Sequence, residues 1–222
     1  MYGYIRQGRR TELTREIIGG VPFWVLTAGE EWRRGMRVRR LLRRMAQWGV
    51  KTAVFQEETW RETAARYGIQ PPAVGPLRLA KLEELLAQVA PAGMQDGTVR
   101  LCTGGDGAAA RRAAAVLARQ ARYIVLEPPE QAGLAQWLLA QYGLAAGSGG
   151  RTPALTVYCG AAAGEGGAAV YLGPDCAARQ QVVYETEGLT PWPVTEELLA
   201  ALLAAGRWEP SEIHVASVRN RA

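Results

Sequence analysis

Apolar positions along the chain fall into two alternating patterns, short continuous runs and longer stretches with helical spacing. Val21 to Thr27, Lys51 to Gln56, Thr98 to Thr103 and Tyr123 to Glu127 are short runs and predict buried strands. Between the first two, a helix is expected from about Glu30 to Trp48. Its apolar positions Val38, Leu41, Leu42, Met45, Trp48 and Gly49 recur at i, i+3, i+4, i+7, i+10 and i+11, a single stripe for packing on a sheet. Thr59 to Tyr67 predicts a short helix closed by Gly68, and Gln70-Pro71-Pro72 stops it from continuing. Pro76 suits the first turn of another helix, with Leu82, Leu85, Leu86 and Val89 on its buried side. Gly107 to Ala121 is an Ala-rich helix, and after Pro128-Pro129 a further one carries Leu134, Trp137, Leu138 and Gln141.

This alternation predicts βαβ units with right-handed crossovers and hence a parallel sheet. The pattern changes at Gly147-Ser148-Gly149-Gly150. Ala154 to Cys159 and Ala168 to Leu172, joined by the glycine-rich stretch Gly160 to Gly167, read as a hairpin, followed by a strand over Gln181 to Glu185. A helix capped by Thr195 and closed by Gly206, then a strand over Ile213 to Val218, complete the chain. The expected fold class is α/β: a doubly wound, mostly parallel Rossmann- or flavodoxin-like sheet of about five parallel strands, with a C-terminal antiparallel extension. The expected organisation is a single domain over 1–222, with a polar segment at 1–20, a parallel βα core at 21–146 and a β-rich extension at 151–222.

Composition narrows the function classes. The 222 residues are 48% hydrophobic and 21% charged, an ordinary globular balance. No signal-peptide pattern or membrane-length apolar run is visible, so a cytoplasmic protein is expected. Cys102, Cys159 and Cys176 are widely spaced without a CxxC pair, and His214 is the sole histidine, too few ligands for a zinc site. Metal binding is therefore not expected. The net charge of +5 comes almost wholly from arginine, with Lys51 and Lys81 the only lysines. Arginine in place of lysine, with abundant Ala and Gly, also follows from GC-rich coding, so the charge does not point to nucleic acid.

The leading candidate site is Gly105-Asp106-Gly107-Ala108-Ala109-Ala110, a G-x-G-x-x-A directly after a strand and opening a helix. Glycines let the backbone approach a pyrophosphate, and the helix start supplies free N–H groups. Glu127, ending the next strand, stands where a ribose-binding carboxylate belongs. Gly105, Gly107, Ala110 and Glu127 are thus candidate binding residues for NAD or another nucleotide. Against this, Asp106 places a negative side chain near the phosphates, and a tight turn explains glycine without a ligand. In a flavodoxin-like order, the turns Thr27 to Glu31 and Thr103 to Gly107 would flank one crevice. In a sheet parallel from Val21 through Cys159, whatever the strand order, Thr27, Glu57, Thr103, Glu127 and Gly160 would end strands on one edge and line one cleft.

No catalytic residue stands out. Ser148, Ser211 and Ser217 lie outside any G-x-S-x-G elbow, His214 reads as a buried strand residue, and Cys176, though a candidate exposed thiol near Arg179, has no general base. The second candidate surface is the basic side of the first helix, with Arg33, Arg37, Arg40, Arg43 and Arg44 opposite the apolar stripe. Like charges at i, i+4 cost a few tenths of a kcal/mol each, which an anionic or protein partner, or a second subunit, would relieve. The alternative reading is accordingly a non-catalytic interaction module built on that helix.

Overall fold

The computed structural model describes all residues except 31–33, 91–96, 105–106, 129–130, 148–152, 161–167, 174–175 and 221–222. The chain divides into two compact units, Met1–Ala73 with Thr186–Ile213, and Val74–Glu185 with His214–Ala222.

The first unit holds a four-stranded sheet in the order β2-β3-β1-β4. Its strands are β1 (Tyr2–Gln7), β2 (Glu12–Ile18), β3 (Val21–Ala28) and β4 (Thr52–Phe55). β1 is parallel to both β3 and β4, and β2 runs antiparallel to β3 at one edge. Two of these strands occupy what reads as a polar leading segment. Gly3, Tyr4 and Ile5 of β1 are buried in mid-sheet, but Arg6, Arg9 and Arg10 dilute the apolar signal around them. β2 lies at an edge and buries only Ile18 fully, so its alternation is faint.

Helix α1 (Arg34–Gln47) covers one face of this sheet. Its Val38, Leu42 and Met45 close a core with Ile5, Leu26, Ala53 and Phe55. Short helix α2 (Arg61–Ala65) adds Ala64. On the opposite face the Tyr4 ring meets Trp192 edge-on at 4.9 Å. Helix α8 (Glu196–Ala204), capped by the Thr195 hydroxyl accepting from Leu198 N, fixes Glu197 beside β4. The Glu197 carboxylate accepts from Phe55 N at 3.0 Å and Arg61 Nη2 at 2.5 Å.

The second unit contains a five-stranded, wholly parallel sheet in the order β7-β6-β5-β8-β9. These strands are β5 (Thr98–Cys102), β6 (Tyr123–Glu127), β7 (Ala146–Gly147), β8 (Leu155–Tyr158) and β9 (Ala169–Tyr171). Counted from β5, the order is 3-2-1-4-5, that of a Rossmann-like sheet. One face is sealed: Val99, Leu101, Ile124, Leu126, Leu155, Val157 and Val170 are each at most 3% exposed. Helix α5 (Gly107–Gln120) packs on β5 and β6 and brings Ala110, Ala113, Ala114 and Leu117 to the core. Helices α3 (Gly75–Ala80), α4 (Leu82–Val89) and α6 (Ala132–Tyr142) pack against α5.

The expected hairpin is absent, because β8 and β9 are parallel. A parallel pair requires the chain to return, between Tyr158 and Ala169, to the edge at which β8 began. An antiparallel pair does close the unit: β10 (Gln180–Glu185), reached through α7 (Cys176–Arg179), pairs with β11 (His214–Asn220). Arg78 of α3 is fully buried and ties these pieces together. Its guanidinium donates to the carbonyls of Tyr171 (3.1 Å), Cys176 (3.1 Å) and Gln180 (2.8 Å). Among the described residues, no helix is long and apolar enough to cross a membrane.

Candidate functional site

The parallel order locates the switch point of the second sheet. β5 has its sequence successor β6 on one side and β8 on the other, so ligands favour the carboxyl ends of β5 and β8. The glycine-rich turn follows β5, which places it on the first strand of its own sheet rather than midway through a longer one. Thr103, at 1% exposure, anchors the turn by donating its backbone N–H to the Glu127 carbonyl at 2.9 Å. Gly104 then takes a left-handed φ of 57° and meets Gly160 backbone to backbone. A Cβ on Gly104 would lie 2.4 Å from the Gly160 Cα, so the loops after β5 and β8 touch at their bases.

Beyond this contact, Gly105 and Asp106 lie outside the described residues. Gly107, the first residue of α5, has no such constraint. Its φ is not left-handed, and a Cβ there would meet nothing within 4 Å. Gly133, in the first turn of α6, is equally unconstrained. Both line a hollow of about 310 Å³ between the starts of the two helices, together with Ala110, Arg111, Gln131 and Leu134. The Arg111 guanidinium lies 5.5 Å from the Trp137 ring centroid. Sequence reasoning reached Gly107 and Ala110 but not Arg111 or Gly133, because nothing in the spacing announces that α5 and α6 start side by side.

No family model and no curated protein matches the chain. Among solved structures, L-tryptophan dehydrogenase from Nostoc punctiforme is similar at 10% identity and a TM-score of 0.31, over 71% of this chain and 55% of that one. A second, a "putative aspartate carbamoyltransferase" from Trypanosoma cruzi, aligns at 11% identity and a TM-score of 0.28, over 76% of this chain and 69% of that one. The chain thus spans little more than half the length of the dehydrogenase. The strand order of the second unit is what carries the fold assignment.

Glu127 ends β6 at the same edge, and its side chain is 56% exposed. Register places it in a row across the sheet, Glu127 beside Cys102, Cys102 beside Tyr158, and Tyr158 beside Tyr171. The row is on the face opposite the sealed one. There Arg100 Nε lies 3.5 Å from the Glu127 carboxylate, and Cys102 Sγ donates to it at 3.8 Å. Burial, reinforced by that carboxylate, pushes the Cys102 thiol up to about 11. Burial likewise raises the Tyr158 hydroxyl, whose ring stacks on Tyr171 at 5.1 Å with 6° between planes. Both groups are thereby held in their protonated forms at neutral pH.

Other expected rim residues belong elsewhere. Thr27 and Glu57 follow the strands of the first sheet, where Thr27 Oγ1 accepts from Arg6 at 3.2 Å and Glu57 accepts from Gln7 at 2.6 Å. β3 is already paired on both sides by β2 and β1, so it has no edge to offer β5, and the crevice expected between their turns does not form in a shared sheet. His214, expected buried, is exposed on β11, whereas Cys176, the candidate exposed thiol, is 1% exposed. Among the described residues, no group of three His, Cys, Asp or Glu side chains is placed to hold a metal ion.

Proposed function

We propose that the second unit binds a nucleotide or dinucleotide, with its phosphates at the start of α5 against Gly105, Gly107 and Ala110, and a ribose on Glu127. The observation that carries this reading is Gly107. Glycine costs a helix up to about 1 kcal/mol relative to alanine, and at Gly107 neither φ nor packing requires it. What it leaves is open backbone beside a hollow, after the first strand of a 3-2-1-4-5 sheet. The positive end of the α5 dipole lies at this hollow, and Arg111, one turn further on, adds positive charge. The Arg100–Glu127 pair is half-exposed and therefore weak, so Glu127 is able to exchange it for ribose hydroxyls.

Binding rather than catalysis is the role these groups support. The test is thermal stabilisation by NAD, NADP, FAD, ATP and S-adenosylmethionine in turn. A ligand at one hundred times its Kd adds about 2.7 kcal/mol, and Gly107→Val, by filling the open side of the turn, should abolish the shift while the protein still melts cooperatively. A carboxylate at the ribose favours NAD over NADP, and Glu127→Gln should narrow that preference. The absence of a shift with every member of the set ends the nucleotide reading.

A further inference from the structure

Helix α1, in the first unit, contributes no residue to that site. Over Arg34–Gln47, α1 contains six arginines and no acidic residue. Its apolar stripe is consumed by the core, which leaves Met36, Arg40, Arg43 and Gln47 along the outward ridge at i, i+4, i+7 and i+11, with Arg39 beside them. All five are exposed, Met36 to 63%. Among the described residues, Arg39, Arg40 and Arg43 form no ion pair. The carboxylates of the neighbouring turn are engaged, Glu58 with Arg61 and Glu62 with Arg66.

The basic surface continues onto the sheet. In β2, Leu13 packs into the α1 core, so Arg15 and Ile17, two and four residues on, share that face. Arg15 lies opposite Trp24, whose ring is 4.3 Å from that of Trp48, and the Arg44 guanidinium covers Trp48 at 4.7 Å. Ile17 is 75% exposed.

We infer that this surface docks an acidic peptide segment of a partner protein, with carboxylates on Arg39, Arg40 and Arg43 and apolar side chains on Met36 or Ile17. Charge complementarity supplies the attraction, because each free guanidinium has like charges as helical neighbours and a carboxylate relieves several at once. The exposed apolar side chains select the class of partner. A phosphate backbone offers them nothing, and the Trp48 ring, engaged by Arg44 and Trp24, is no open plate for a base. A bilayer takes up an apolar helical stripe, and that of α1 is buried.

The experiment measures fluorescence anisotropy of a labelled peptide of alternating Glu and Leu against the full chain, with duplex DNA, single-stranded RNA and phosphatidylserine vesicles as parallel probes. The peptide should bind, weaken as salt rises, and lose about tenfold in affinity in the triple variant Arg39→Gln, Arg40→Gln, Arg43→Gln. The same charge change at exposed Arg112, Arg179 and Arg207 should leave binding within about twofold of the parent, the scale of a remote screened charge. Peptide binding that survives the triple variant, no peptide binding at all, or tighter binding to DNA, RNA or vesicles that the triple variant removes, overturns the proposal.

Discussion

Gly104 and Gly107 stand three positions apart and answer to different demands. At Gly104 the left-handed φ and the Gly160 backbone 2.4 Å from a would-be Cβ leave no room for a side chain. Gly104→Ala should therefore cost roughly 2–4 kcal/mol in urea unfolding. Gly107→Ala should be neutral or raise stability by up to about 1 kcal/mol, since nothing opposes its methyl group. Equal losses in the two variants would mean that Gly107 is structural after all. Tyr4 supplies a second residue-level test. Its ring is 1% exposed, and its hydroxyl is buried with no hydrogen-bond partner among the described residues. Tyr4→Phe removes only that unsatisfied group and should match or exceed the parent by about 1 kcal/mol, whereas a loss of stability would reveal a partner for the hydroxyl.

At the scale of elements, most helices and four of the five strands of the second sheet are legible in the chain, because long apolar periodicities and glycine stops report local physics, whereas the two-residue β7 carries no pattern. Strand partners are not local. Nothing in Leu155–Tyr158 says that it lies beside Thr98–Cys102 rather than against Ala169–Tyr171 in a hairpin, and the glycines between allow either. β1 escapes notice for another reason: three buried residues among arginines carry too little pattern to outvote their neighbours. Of the candidate site, Gly107, Ala110 and Glu127 are visible as a motif, but the hollow depends on where α6 starts, which only packing decides.

Helix α8 yields a prediction in pH. Burial raises the Glu197 carboxyl above its ordinary range, outweighing the Phe55 N–H and Arg61 that favour its charged form. A carboxyl with a raised folded-state pKa holds its proton more tightly folded than unfolded. Stability is then greatest below the ordinary carboxylate value and falls as pH climbs through it to the folded one. The urea midpoint of the parent, taken relative to that of Glu197→Gln, should fall from acid to neutral pH, since Glu84, whose carboxyl is held below its ordinary range, adds an opposite slope to both proteins. A parent that instead gains on the variant as pH rises would reverse the assignment.

The whole molecule is built from interleaved segments, since the first unit resumes at Thr186 and the second resumes at His214. Among the described residues β10 pairs with β11 alone, and Val215 N of β11 donates to Glu84 at 2.8 Å. A lone strand of this kind has little stability. The contiguous fragment 74–185 should thus melt without a cooperative transition by circular dichroism, while the full chain melts cooperatively; a sharp transition in the fragment would show β11 to be dispensable. The same interleaving sets a schedule during translation. Tyr4, Phe23, Val25 and Val54 leave the ribosome with the first 73 residues, but Trp192 and α8 follow only after about 110 more, roughly 6–20 s at ordinary synthesis rates. For that interval the nascent sheet presents an uncovered apolar face, a substrate for holding chaperones and a site of vulnerability to aggregation that the finished protein no longer displays.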